Sequence, residues 1–166
     1  MTHSPDIHPM SIELDRIDRK ILRALQDDGR IANVDLARLV GLSATACLER
    51  VKRLTRDGYI VGFGARLNPE KLDAGLLVFV EVVLDRTTPE VFERFKQAVL
   101  DRPEVQECHM VAGGFDYLIK ARVRDMKAYR DLLGSALLSL PGVRETHTYA
   151  VMEEVKHESA IHIAHS

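Results

Sequence analysis

Apolar residues in the first third of the chain recur at steps of three and four, the spacing of one face of an α-helix. The pattern predicts three short helices: one from about residue 14, a second capped by Asn33, and a third capped by Ser43. Glycines that follow residues 28, 40 and 57 mark their ends. Turns this tight leave no room for a sheet, so we expect a compact unit of roughly 45 residues, which is marginally stable alone and favours dimerisation.

After residue 58 the period changes from helix to strand. The expected elements are a strand at 76–84, a helix opened by Thr88-Pro89, strands at 105–111 and 115–123, a helix capped by Asp125, and a last strand at 143–155. This β-α-β-β-α-β order is the ferredoxin-like arrangement, an antiparallel four-stranded sheet with both helices on one face. Apolar residues on the open face of such a sheet need a partner.

The expected fold class is therefore α+β, with a domain boundary where the period changes. An N-terminal three-helix domain of the helix-turn-helix, winged-helix-like kind precedes a C-terminal ferredoxin-like βαββαβ domain. The expected segments are a flexible arm at 1–12, the three-helix domain at 13–58, a hinge strand and linker at 59–70, the ferredoxin-like domain at 71–156, and a tail at 157–166.

Composition narrows the class of protein. No apolar run reaches the ~18 residues of a membrane span, and the N-terminus lacks the pattern of a secretory signal. The two cysteines have no CxxC spacing, so we expect no disulfide framework, no metal site and a cytoplasmic location. Cys108 and His109 are adjacent on an expected strand and point to opposite faces, so they do not form a nucleophilic dyad. We expect no catalytic residues, no cofactor and no enzymatic activity.

The segment NVDLARLVGLSATACLERVKRL, residues 33–54, has the parts of a helix-turn-helix. Ala37 is the small residue where the helices cross, Gly41 takes the turn, and Ser43 caps the second helix. Residues 38–56 carry five basic side chains and one acidic one, in a chain whose net charge is only −2. This local basic face favours double-stranded DNA as a partner, although it also fits a solvated helix face. The expected DNA-binding side chains are Ser43, Thr45, Cys47, Arg50, Lys52 and Arg53.

The stretch VAGGFDYLIK, residues 111–120, places two glycines before an Asp-Tyr pair. No GxGxxG or P-loop spacing accompanies them, which excludes phosphate sites of those types. Two interpretations remain open. The residues alone favour a two-residue hairpin turn of the mirror-image type. The alternative is a pocket in which glycine N–H groups meet a carboxylate while Asp116 holds an ammonium group.

Motifs in both halves of the chain resemble the Lrp/AsnC family of transcription regulators. The first half carries LDRIDRKILRALQDDGRIANVDLARLVGLS, LERVKRL and DGYIVGF, and the second carries LLVFVEVVL, QECHMVAGGFDYLIKARV, MKAYRDLLG, LPGV and TYAVMEEVK. The resemblance implies a hinge strand at residues 60–67 that pairs with its counterpart in a dimer. It also implies that dimers assemble further, commonly into octamers, and that a small-molecule effector binds where dimers meet.

The same resemblance assigns effector residues. They are Met110, Gly113, Gly114, Asp116, Tyr117, Met126, Thr148, Tyr149, Ala150 and Val151. Two departures from the family pattern bear on specificity. The recognition helix reads SATAC where relatives often carry prolines, and the turn reads GGFDY without an acid after its first glycine.

The resemblance therefore predicts a sequence-specific DNA-binding transcriptional regulator of amino-acid metabolism. Its DNA binding and assembly would respond to an amino acid effector such as leucine. One alternative is an effector-insensitive architectural protein that wraps DNA. Another is an amino-acid-binding regulatory subunit of a metabolic enzyme, which leaves the basic helix unexplained.

Overall fold

The computed structural model describes residues 13–86 and 88–164, without the side chains of residues 135 and 136. The expected flexible arm at residues 1–12 lies outside this range. The described chain divides into two compact units: the first runs to Arg66 and includes residues 158–164, and the second is Leu67–His157. None of the helices within the described ranges is long and apolar enough to cross a membrane.

Three helices make up the first unit: α1 (Arg16–Asp27), α2 (Asn33–Val40) and α3 (Ala44–Arg56). A capping box opens α1, because the Asp18 N–H donates to Asp15 Oδ1 (2.7 Å) and the Asp15 N–H donates to Asp18 Oδ2 (3.3 Å). The apolar faces of the helices form one core, whose buried members are Ile21, Ala24, Leu36, Ala37, Val40, Cys47 and Leu54. The expected three-helix unit is confirmed.

The second unit is a four-stranded antiparallel sheet with two helices. In chain order it consists of a 3₁₀ turn (Glu70–Leu72), β1 (Leu76–Leu84), α4 (Pro89–Leu100), β2 (Val105–Met110), β3 (Tyr117–Val123), α5 (Met126–Leu132), a π-helical turn (Leu133–Leu137) and β4 (Val143–Ala150). The strand order is β2-β3-β1-β4, and every neighbouring pair is antiparallel. Thr88 and Asp125 are the N-caps of α4 and α5, as the sequence predicts. The ferredoxin-like expectation is confirmed.

The two faces of the sheet differ in what covers them. On one face, Val78, Val80 and Val82 of β1 are buried in a core shared with α4 and α5. Cross-strand partners share a face, so the register assigns a second set to the other face. That set comprises Leu77, Phe79, Glu81, Leu118, Lys120, Arg122, Glu107, His109, His147 and Tyr149. The open face therefore mixes apolar and charged side chains.

Two expected strands differ from the structure. β4 ends at Ala150 and not at residue 155, because Ala150 pairs with Val78 and β1 begins only two residues earlier. One further bond joins the Val151 N–H to the Leu77 carbonyl (3.0 Å), after which β4 has run past its neighbour. Residues 60–67 form no strand pairing with any described residue. A strand there would need the edge of a second chain, so its pairing in a dimer stays a prediction.

Candidate DNA-binding helix and effector residues

The turn between α2 and α3 is held by contacts from both sides. Gly41 has φ of 76°, in the left-handed region that glycine favours, and the Leu42 N–H bonds the Ala37 carbonyl (2.9 Å). Ser43 Oγ caps α3 by accepting the Ala46 N–H (3.2 Å). These contacts fix the start of α3 relative to α2, as a helix-turn-helix requires.

Asn33 has a different role from the one expected. The N-cap of α2 is Ala32, which makes no side-chain bond, and Asn33 is the first helical residue. The prediction of an Asn33 cap is therefore wrong. Its Nδ2 donates instead to the Ala44 carbonyl (2.8 Å), because the start of α2 lies beside the start of α3. The amide thus joins the two helices of the motif.

The expected DNA-binding residues separate into an exposed group and a buried one. Ser43, the cap of α3, and Thr45 and Lys52 on the helix are exposed, and Lys52 pairs with Glu49 of the same helix (2.9 Å). Cys47 is 0% exposed and lies in the core of the unit, because the helical period turns it away from solvent between Ala46 and Leu48. The structure therefore contradicts the assignment of Cys47 to base contact.

Arg50 and Arg53 form an ion-pair cluster with acidic residues at the start of α1 in the first unit. Asp18 is 1% exposed, and its Oδ1 accepts from Arg50 Nη1 (2.9 Å) and from Arg53 Nη2 (2.6 Å). Arg50 Nη1 also donates to Asp15. Burial raises the pKa of the Asp15 carboxyl, but hydrogen bonds from Arg50 and the Asp18 main chain outweigh it, and the pKa is lowered. These arginines therefore join α3 to α1, and their side chains remain partly exposed.

This cluster was missed by sequence reasoning. Acids three residues apart at a helix start signal a capping box, and nothing in their spacing indicates partners thirty-odd residues later. The freer cations of the motif are Arg38 and Arg56, whose side chains are exposed and whose ion pairs with described residues are those with Asp35 (2.7 Å) and Asp57 (3.1 Å). Exposed pairs of this kind contribute little and exchange easily for phosphate.

The glycine doublet does not form the expected mirror-image turn. Among the described residues, positive φ occurs only at Gly41, Gly58, Gly142 and Asp73, so neither Gly113 nor Gly114 has the backbone of that turn. The connection between β2 and β3 is a longer bend, closed by the Val111 N–H on the Asp116 carbonyl (3.0 Å). Both glycines are exposed, and an added Cβ at either would meet open space. The two glycines thus lie on an accessible surface.

Asp116 closes the end of the sheet. Its N–H donates to the Val82 carbonyl (2.9 Å), and its Oδ2 accepts the Leu84 N–H (2.8 Å). One carboxylate oxygen is therefore used by the main chain, while Oδ1 bonds no described residue. Met110, at the end of β2, is exposed nearby in the ladder, where it pairs with Tyr117.

Tyr117 is a core residue. It is 2% exposed, its ring stacks on Phe95 (centroids 4.4 Å apart) and meets Phe92 edge-on (6.1 Å). Its hydroxyl is buried without a hydrogen-bond partner in the described chain, and burial raises the pKa of that hydroxyl. The structure therefore contradicts the assignment of Tyr117 to effector contact, because its side chain points to the helix-covered face.

The remaining effector residues lie at the start of α5 and along the second half of β4, up to the residue that follows it. Met126 is exposed at the start of α5, whose cap is the Asp125 carboxylate on the Ala128 N–H (2.8 Å). On β4, the Thr148 hydroxyl bonds the Tyr129 hydroxyl on the helix-covered side. Tyr149 is exposed on the open face, where its hydroxyl donates to Glu81 (3.2 Å). Ala150 is exposed and Val151 is half-buried.

The sheet register keeps Asp116 and Val151 apart within one chain. Asp116 bonds Val82, whereas Val151 bonds Leu77 of the same strand. At the usual rise of a strand, Leu77 and Val82 are about 17 Å apart, which is longer than a free amino acid. A single chain therefore does not bring Asp116 and Val151 into one pocket, whereas Thr148 lies nearer, opposite Val80 in the middle of β1.

A cavity of about 420 Å³ lies elsewhere in the second unit. It is lined by Asp73, Arg102, Glu104, Arg122, Val123, Arg124, Ala128, Asp131 and Leu132, which include none of the expected effector residues. Arg122 is 5% exposed and its Nη2 donates to both oxygens of Glu154 (2.6 and 2.7 Å). Within the described ranges, Arg122 Nη1 and Arg102 Nε are buried without partners. The described residues contain no His, Cys, Asp or Glu cluster able to hold a metal ion.

Comparison with known proteins covers both units. A winged helix-turn-helix DNA-binding model matches residues 14–61, and the Lrp/AsnC ligand binding domain matches residues 77–161. The chain is 62% identical over 149 residues to leucine-responsive regulatory proteins of Klebsiella pneumoniae and Escherichia coli (strain K12), covering 90% of this chain and 91% of each relative.

Solved structures agree with the sequence matches. A transcriptional regulator from Neisseria meningitidis in complex with L-Met superposes with a TM-score of 0.87 at 37% identity, covering 92% of this chain and 99% of that one. The leucine response regulatory protein LrpA of Mycobacterium tuberculosis gives a TM-score of 0.77 at 32% identity, covering 91% and 100%. The chain therefore belongs to the Lrp/AsnC family, and it is a ligand-responsive, DNA-binding transcription regulator.

Proposed function

We propose that the protein binds a specific double-stranded DNA site and that an apolar amino acid, with leucine as the first candidate, changes its DNA affinity and its assembly. The chain would work as a cytoplasmic homodimer that assembles further, with an octamer as the expected size. The observation that carries the proposal is the separation of Asp116, beside the glycine turn, from Val151 in one chain, because the two bond Val82 and Leu77 of β1. An effector that needs both groups must take them from two copies, which couples binding to assembly.

The DNA contacts follow from exposure. Ser43 and Thr45 lie at the start of α3, where short side chains allow approach to base edges. Lys52, Arg38 and Arg56 supply phosphate contacts, because their ion pairs are exposed. Arg50 and Arg53 orient α3 through Asp18 and contact DNA secondarily.

The effector contacts divide between two chains. One copy supplies Gly113 and Gly114 N–H groups for the amino acid carboxylate and the free Oδ1 of Asp116 for the ammonium group. Another copy supplies Met126, Tyr149 and Val151 as the wall around the side chain. The similar Neisseria meningitidis protein forms a complex with L-Met, and the relatives at 62% identity are named leucine-responsive regulatory proteins, so both amino acids are tested first.

A complementation experiment tests the composite site. Asp116→Asn keeps an acceptor for the Leu84 N–H and removes the charge, and Tyr149→Ala removes a wall at the other end. Each variant alone should lose leucine binding in calorimetry. Co-assembled chains should regain part of it, because some sites then combine an intact turn with an intact wall. Mixed assemblies that bind no leucine, while the wild type does, would show that both groups belong to one chain.

The DNA half is tested with duplexes that the protein selects from a random pool. Lys52→Gln and Arg56→Gln should each reduce the slope of log K against log salt by about 0.9 if they contact a phosphate. Affinity that does not distinguish selected from random duplexes, together with no response to amino acids, would favour an architectural DNA-wrapping protein. Sedimentation with and without leucine measures the assembly in the same samples.

A further inference from the structure

The described end of the chain lies against α1 of the DNA-binding unit. After His157 the chain leaves the second unit, and residues 158–164 belong to the first. The Gln26 amide pairs with both main-chain groups of Ile161: its Oε1 accepts the N–H (2.7 Å) and its Nε2 donates to the carbonyl (2.9 Å). Arg23 Nη1 donates to the carbonyls of Ile163 (3.2 Å) and Ala164 (3.3 Å).

These contacts recognise main chain and not side chains. A side-chain amide that bonds the N–H and carbonyl of one residue reproduces the pairing of a β-ladder, and it needs an extended peptide. The Ile161 side chain is 76% exposed, so burial of that side chain does not hold the segment. The surface formed by Arg23 and Gln26 is therefore a peptide dock, and its occupant is the C-terminal segment of this chain.

The docked segment follows the second of two covalent connections between the units. The chain crosses between them once at residues 66–67 and again at residues 157–158. A unit tethered at one end keeps most of its freedom to reorient, whereas a second docked tether removes part of that freedom.

The docked segment is also connected to the recognition helix through side chains. Arg23 and Gln26 lie on α1, and Asp18 of the same helix holds Arg50 and Arg53 of α3. A displacement of α1 therefore changes the position of α3 through the ion pairs of the buried Asp18 carboxylate.

We propose that residues 158–164 form a strap that docks on Arg23 and Gln26 and transmits ligand binding in the second unit to the DNA-binding unit. The transmission rests on the proposed function, whereas the docking does not. The segment just before the strap begins at the end of β4, where the expected effector residues Tyr149, on the strand, and Val151, just after it, lie. A ligand that holds these residues changes the anchorage of the strap.

The test compares the wild type with Gln26→Ala and with a chain that ends at His157. Gln97→Ala is the control, because Gln97 is an exposed glutamine of α4 that bonds only Glu93 of its own helix among the described residues. The measured quantity is the ratio of DNA dissociation constants without and with saturating L-leucine. Coupling between sites usually gives a ratio of roughly 5- to 150-fold, and we expect it to fall below about 2-fold without the strap. An unchanged ratio in both strap variants overturns the transmission.

Hydrogen exchange separates this outcome from a failure of the proposed function. The Ile161 amide should be protected in the wild type and in Gln97→Ala, and it should exchange freely in Gln26→Ala. A fast Ile161 amide in the wild type overturns the strap itself. A wild type without any leucine response overturns the proposed function and the transmission together, while the Ile161 amide still decides the docking.

Discussion

The buried Asp18 carboxylate makes a prediction that separates a structural from a DNA-binding role for the arginines of α3. Asp18→Asn keeps the shape of the side chain and removes its charge. Both arginines then lose a charge-assisted acceptor while their side chains are only 29% and 28% exposed. Either orientation of the new amide also places a donor against Arg50 and Arg53 or against the Asp15 N–H.

The size of the effect follows from these contacts. Weakening each of two charge-assisted bonds costs about 1 kcal/mol, and loss of half of the capping box adds about 0.5 kcal/mol. We therefore expect the first unit to lose about 2–3 kcal/mol of stability, less than for a fully buried pair because the arginines keep some solvent. Asp15 still compensates Arg50.

Hydrogen exchange followed by mass spectrometry measures this in the full chain. Exchange through opening of the first unit should accelerate about 30- to 150-fold in peptides from α1, α2 and α3. Peptides from β1 and β3 should not change. Asp27→Asn is the matched control, because it removes the same charge from an exposed position of the same helix. We expect it to change stability by less than about 0.5 kcal/mol.

DNA binding gives the refuting result. If Arg50 and Arg53 were primarily phosphate contacts, release from Asp18 would raise DNA affinity and leave exchange unchanged. That combination would show that the cluster does not support the fold of the unit. Faster exchange with equal or weaker DNA binding is the outcome that the geometry predicts.

Three further predictions concern the second unit and the turns. A hydrogen bond from Arg122 lowers the pKa of Glu154, so their pair contributes stability at neutral pH that is lost as the pH falls below about 4.5. Glu154→Gln should lower the free energy of unfolding by about 2 kcal/mol, measured with urea at pH 7. This is less than the value for a fully buried pair, because the Glu154 side chain is 30% exposed. The difference in stability between the variant and the wild type should disappear in acid. Burial raises the pKa of Cys108 to about 11, so its thiol should react slowly with a disulfide reagent at pH 8 until urea unfolds the protein. Gly142→Ala should destabilise the protein more than Gly58→Ala, by at least about 1 kcal/mol. Both glycines have positive φ, but only at Gly142 would the new Cβ lie 2.5 Å from Val91 Cγ1. Equal losses of stability would show that this contact relaxes at no cost.

The sequence by itself determined the elements and their order. The three- to four-residue period over α1–α3 and apolar runs such as β1 are local properties of the sequence. The residues that cap or end a helix also lie beside it: Ser43 caps α3, Asp125 caps α5 and Gly41 ends α2. The helix-turn-helix followed from the same local information, because its turn, its cap and its small residue lie within one short segment. The order of elements then left the ferredoxin-like sheet as the natural arrangement.

Only the tertiary structure decided what the polar side chains do. Cys47 and Tyr117 have the right positions along the chain for their expected contacts, but packing turns both into a core. Asp18 selects Arg50 and Arg53, and Gln26 selects Ile161, over separations that no local pattern encodes. The sheet register likewise places Asp116 and Val151 at opposite ends of β1, because an antiparallel ladder fixes distances that motif order does not contain. Partners distant in sequence are chosen by burial and by the need to satisfy buried charge, and these arise only when the chain has folded.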